Sequence, residues 1–119
     1  MKLVVVANEP DFLKVALKGD IHASSVSPEE PDQLNHLLGE GWPGRKVLMD
    51  LGGISMAGSA AIGWILAMNR RFKQAGGRLV LHSMRADVAR SFKLLKVDTV
   101  LQICHDEKAA IAALEKPHE

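Results

Sequence analysis

Apolar positions along the chain follow two periods, and the change from one to the other predicts the architecture. Runs without a helical period mark strands at Lys2 to Ala7, Phe12 to Leu17, Lys46 to Met49, Arg78 to His82 and Thr99 to Cys104. The first two are separated by Asn8-Glu9-Pro10-Asp11, which is turn chemistry, so they read as a hairpin at a sheet edge. Phe12, Leu13, Val15 and Leu17 alternate imperfectly with Lys14 and Lys18, the mark of a strand with one wet face. The run beginning at Lys46 is continuously apolar, as in the middle of a sheet, until Asp50 and Gly52-Gly53 break it.

Helical spacing takes over after Gly58-Ser59. Ile62, Ile65, Leu66, Met68 and Phe72 recur at three and four, and Gly76-Gly77 supplies the stop. Ser27-Pro28-Glu29-Glu30 has the form of a capping box, with Leu34, Leu37 and Leu38 on one face of a short helix ending near Gly39. Gly41-Trp42-Pro43-Gly44 reads as a loop. Arg85 to Leu95 reads as a helix with Val88, Phe92 and Leu95 inward, and Asp106 caps a last helix through Leu114. Lys116 to Glu119 is a polar tail, expected to fray. Strands alternating with helices from Lys46 onward imply right-handed crossovers and parallel pairing. The expected fold is a single α/β domain over residues 1–119. Its mixed sheet has about five strands, with about four helices packed mainly on one side. Leu48, Ile62, Leu66, Phe72, Leu81, Phe92 and Leu101 are expected in the core.

Composition narrows the function. With 119 residues, 47% hydrophobic and 24% charged, the chain is large enough for one core and ordinary for a soluble protein. A net charge of +1 makes no case for nucleic acid or an anionic membrane. The one cysteine, Cys104, excludes an internal disulfide framework and fits a reducing compartment; ending a strand of apolar residues, it is expected to be a small buried hydrophobe. Met1 to Ala7 is too short an apolar run for a signal peptide, and no stretch approaches the roughly 20 apolar residues of a membrane span. A cytoplasmic protein is expected. His22, His36, His82, His105 and His118 have no metal-ligand spacing, so no metal is expected. Gly52-Gly53 lacks the glycine and lysine of a phosphate loop, no serine, histidine and acid group into a triad, and no cofactor is implied. The chain is not expected to be an enzyme.

Ser59 sits at a helix N-terminus after a central strand. There it can be a simple cap or, through the unpaired N–H groups and positive dipole end, can carry a phosphate well. Trp64 falls roughly 100° from Ile65 and about 200° from Ile62, which puts it on a row with Ala60, Ala67 and Arg71, outside the inward arc. Tryptophan and arginine among small residues suit a binding hot spot; the alternative is that Trp64 lies over a neighbouring helix as peripheral core.

The run from Val47 to Gly63, VLMDLGGISMAGSAAIG, resembles the signature of the STAS domains, the anti-sigma factor antagonist family. That signature is an apolar strand, Asp or Asn, a short link, then Asp-Ser-Ser/Thr-Gly-Leu-Gly opening a helix. The likeness continues through Gly76 to Leu81 and Val88 to Phe92, and is loose in the N-terminal third. The resemblance implies a regulatory module without catalysis. Its partner would be a serine-kinase-type anti-sigma factor with an ATP-binding fold. Ser59 would be the phosphoacceptor with an exposed hydroxyl, and Gly58, Ser59, Ala60, Gly63, Trp64, Ala67 and Arg71 the partner-binding surface. His22 and Ser55 would lie near the site. In the family the unmodified form binds and phosphorylation weakens the complex. Gly58 stands where the family has aspartate, Ala60 where it has Ser/Thr, Ala61 where it has glycine, and His22 where an aspartate is usual. These departures leave a second reading open, a constitutive, unphosphorylated subunit of a larger assembly such as a transporter complex.

Overall fold

In the computed structural model, which describes residues 2–18, 41–54 and 59–115, the first two apolar runs close into a hairpin. β1 (Lys2–Asn8) and β2 (Leu13–Lys18) pair antiparallel, with a bulge between Val5 and Ala7. The turn is closed by the Glu9 N–H donating to the Phe12 carbonyl at 2.9 Å. Arg45 secures it from outside, Nη1 donating to Asn8 Oδ1 at 2.9 Å and Nη2 to the Glu9 carbonyl at 2.7 Å. The expected helix of residues 27–38 and the tail of 116–119 lie outside the described residues.

β2 then pairs parallel with β3 (Lys46–Gly53), β3 with β4 (Arg78–His82), and β4 with β5 (Gln102–Cys104). The spatial order is β1-β2-β3-β4-β5, which is the mixed five-stranded sheet expected. β3 runs further than its apolar stretch. It continues through Asp50 to Gly53 because β2 and β4 go on pairing with it, Ala16 and His82 opposite Asp50 and Lys18 opposite Gly53, while Leu51 remains buried and the Asp50 carboxylate takes the Gly52 N–H at 2.7 Å. β5 is shorter than expected, since Val97–Thr99 forms a 3₁₀ turn before it, entered through Lys96 in a left-handed conformation (φ 58°).

Alternation along the strands sorts the core into two layers. Leu13, Val15, Leu17, Val47, Met49, Leu51, Leu79 and Leu81 face α1 (Ser59–Gln74) and α2 (Ala86–Leu94). On the other side Leu48 and Val80 meet Ala110 and Leu114 of α3 (Glu107–Glu115). Burial on both faces explains why β3 and β4 read as unbroken apolar runs. Two of the three described helices share one face, and α3 covers the other. Asp106 caps α3 as expected, Oδ1 accepting from the Ala109 N–H at 2.8 Å.

α1 ends in a Schellman motif. Gly76 adopts φ 83°, its N–H meets the Lys73 carbonyl at 3.4 Å, and the Gly77 N–H meets the Phe72 carbonyl at 2.8 Å. Trp42, placed by sequence in a plain loop, is buried on a 3₁₀ turn (Trp42–Gly44) with its ring edge-on to Phe72 at 5.2 Å. Three core expectations change. Leu66 is half-buried at the margin of the layer, because it lies away from the centre of the inward arc. Leu95 is exposed, because α2 stops at Leu94 and the chain turns at Lys96. Cys104 is half-buried, not enclosed.

Candidate partner-binding surface

The carboxyl ends of β3 and β4 and the start of α1 meet on one side of the sheet. Gly52 is fixed there by close approach: a Cβ would stand 3.1 Å from Asp50 Oδ1 and 3.3 Å from the Ser83 carbonyl oxygen. Ser83 is left-handed (φ 62°), and its hydroxyl lies 2.8 Å from Nδ1 of buried His82. Asp50, His82 and Cys104 are register partners across β3, β4 and β5 and so share a face. The polar contacts of Asp50 and His82 are local, to Gly52 within β3 and to the adjacent Ser83. Among the described residues, no three of His, Cys, Asp or Glu are grouped to hold a metal ion.

Ser59 is the first residue of α1. A helix start leaves backbone N–H groups unpaired, and no acidic residue in the first turn competes with an incoming anion. The side chains of Ser59 and Ala60, like His22, Ser55 and Gly58 as a whole, lie outside the described residues.

Further along α1 the faces separate clearly. Ile62, Trp64, Ile65, Met68, Asn69 and Phe72 are buried; Gly63, Arg70, Lys73 and Gln74 are exposed; Leu66, Ala67 and Arg71 lie between. The expectation that Trp64 is accessible is therefore corrected: it is 4% exposed and belongs to the core cluster. At 100° per residue the inward arc spans about 160°, wide enough to take in position 64 at its rim. Arg71 is turned the same way. Its guanidinium carbon lies 5.3 Å over the Trp42 ring, and Nη1 is buried without a hydrogen-bond partner among the described residues. The aromatic face offsets part of that cost.

Gly63 and Arg70 are exposed and Leu66 is half-buried, and this row 63, 66, 70, at the i, i+3, i+7 spacing of one helix face, points back along the helix to position 59. Gly63 leaves the row open: a Cβ built there meets nothing within 4 Å. The surface expected from sequence omits Arg70, and Leu66 is expected in the core. Counting the helical row from Ser59 rather than from Trp64 would have found both.

Comparison with known proteins agrees with this geometry. The family model described as "Mlab, STAS domain" matches residues 4–103. The fold is similar to an anti-sigma factor antagonist from Mycobacterium paratuberculosis (14% identity, 97% of this chain and 96% of that one, TM-score 0.74). An anti-sigma-factor antagonist (STAS) domain protein from Planctomyces limnophilus is also similar (20%, 96% and 98%, TM-score 0.66). So is the anti-sigma factor antagonist SpoIIAA in its unphosphorylated form (12%, 98% and 100%, TM-score 0.66). A mixed sheet in this strand order, a helix opened by serine after its central strand, and a family match over residues 4–103 together make this chain a member of the STAS domain family.

Proposed function

We propose that the chain is a regulatory protein-binding module of the anti-sigma-antagonist kind, docking a serine-kinase-type anti-sigma factor through the stripe of α1 that begins at Ser59. The observation that carries this reading is Gly63. Glycine inside a helix is unfavourable by roughly 1 kcal/mol relative to alanine, so its presence calls for a reason. Among the described residues nothing supplies one, since a Cβ at Gly63 would meet nothing within 4 Å. A helix face that is bare one turn after its N-terminus lets a partner's backbone approach closely, with Leu66 and Arg70 further along to complete the contact. Phosphate on Ser59 would add close to two negative charges at the edge of that contact and weaken it. SpoIIAA, a similar fold, is known in both unphosphorylated and phosphorylated forms.

The test is a titration of the chain against the kinase-type anti-sigma protein encoded nearest to it. Gly63→Leu is expected to keep its melting midpoint within a few degrees while losing binding by about thirtyfold or more, a hot-spot effect of about 2 kcal/mol. Incubation with the kinase and ATP should add one phosphate to the wild type and none to Ser59→Ala. Undiminished binding by Gly63→Leu would remove α1 from the interface.

The second reading, a constitutive subunit of a larger assembly such as a transporter complex, is favoured by one observation: Gly58, Ala60 and Ala61 replace the motif residues flanking the serine. It predicts that Ser59→Ala leaves function in the cell unchanged while Gly63→Leu abolishes it. A Ser59→Ala variant that stays bound to its partner and leaves the output permanently on would favour the phosphorylated switch.

A further inference from the structure

A different part of the surface, at the far edge of the sheet, has the features of a second docking site. β5 ends the strand order, so one side of its backbone has no strand beside it among the described residues. Along that edge, under α2, runs a groove of about 780 Å³. Its floor is apolar, made by Met84, Ala89, Leu101 and Ile103. α2 lines it with positions 86, 89, 90 and 93, the i, i+3, i+4, i+7 spacing of one helix face. The first two are alanines, which leave the groove open at that end. The last two are Arg90 and Lys93, both exposed and neither ion-paired among the described residues, against the single acid Asp98. Immediately after α2, Leu94 and Leu95 are 76% and 54% exposed, and Val100 is 53% exposed. β5 itself is held in place, the Gln102 side chain accepting from Arg78 Nε at 2.9 Å.

We infer that this groove receives an extended acidic segment of a partner protein, added as a further strand along the outer side of β5. An edge strand offers main-chain hydrogen bonds to an extended peptide, and the neighbouring groove then reads alternate side chains. In a strand, residues two apart share a face. One such residue, apolar, would enter beside Ala86 and Ala89 onto Leu101 and Ile103. A second, two positions away, would bring a carboxylate to Arg90 and Lys93. Charge complementarity selects this occupant. A second copy docked through the same groove would set Arg90 and Lys93 against their own counterparts. The site is separate from the α1 stripe and does not depend on Ser59.

The probe is a random peptide library of about twelve residues displayed on phage, selected against the wild-type protein. Enriched peptides are then titrated into 15N-labelled protein. They are expected to share an apolar and an acidic residue two positions apart. Their amide shifts are expected at residues 102–104 and along α2. The double variant Arg90→Glu/Lys93→Glu should bind about tenfold or more weakly. Ala86→Leu, which fills the groove without changing charge, should weaken binding as well. Both variants should match wild-type melting curves, since all three side chains are exposed. No enriched peptide family, an enriched family without acidic residues, unchanged affinity in both variants, or shifts confined to α1 would each overturn the assignment. Light scattering that shows a dimer split by the charge reversal would give the groove to a second copy instead.

Discussion

Gly63 and Trp64 are neighbours in sequence and opposites in role, and each makes a measurable claim. Gly63 is exposed with open space above it, so Gly63→Ala should raise the stability of the free protein by up to about 1 kcal/mol. A denaturant midpoint that falls would mean the position is constrained from within the chain after all. Trp64 is enclosed with Ile65, Met68 and Phe72, so Trp64→Ala should cost about 3–5 kcal/mol, the range for emptying a large aromatic site. A variant as stable as wild type would place the indole back at the surface. Leu66, half-buried on the adjoining margin, should lose less on truncation, about 1–2 kcal/mol.

Whole elements depend on a few fixed termini. The end of α1 rests on Gly76 in a left-handed conformation that costs other residues about 1–2 kcal/mol, so Gly76→Ala should lower the urea midpoint by that equivalent. An unchanged midpoint would mean that the Schellman bonds tolerate another turn. Elements with two buried faces or a strict helical period were legible in the sequence, as were the hairpin turn and the Asp106 cap. What was not legible depends on contacts made elsewhere in the fold. Asp50 and two glycines look like a strand end until β2 and β4 are seen pairing with them, which keeps β3 extended. Trp42 looks like loop composition until Phe72 is seen beside it. The serine at the head of α1 followed from the strand-to-helix pattern. The accessible face behind it did not, because the inward arc is wider than an apolar stripe counted from aliphatic residues alone. Tryptophan and asparagine, at 64 and 69, fill out its rim.

For the molecule as a whole, the sheet has a protected middle. Among the described residues, β3 and β4 each have a strand on both sides and a helix layer on both faces, whereas β1 and β5 each have one strand neighbour. Amide hydrogen exchange should therefore be slowest at Val47 to Met49 and Leu79 to Leu81 and faster in β1 and β5. Equal protection across all five strands would contradict that gradient. The two layers also differ in when they can form. α1 and α2 lie between the strands they cover, but α3 follows all five. While the chain leaves the ribosome, the side bearing Leu48 and Val80 stays wet until Glu107 to Leu114 has been made. The nascent sheet thus passes through an interval with a bare apolar flank, the kind of surface that invites chaperones or self-association. Slowing translation within the α3 codons should lengthen that interval, and a stop codon before Glu107 should make it permanent and send the product into inclusion bodies.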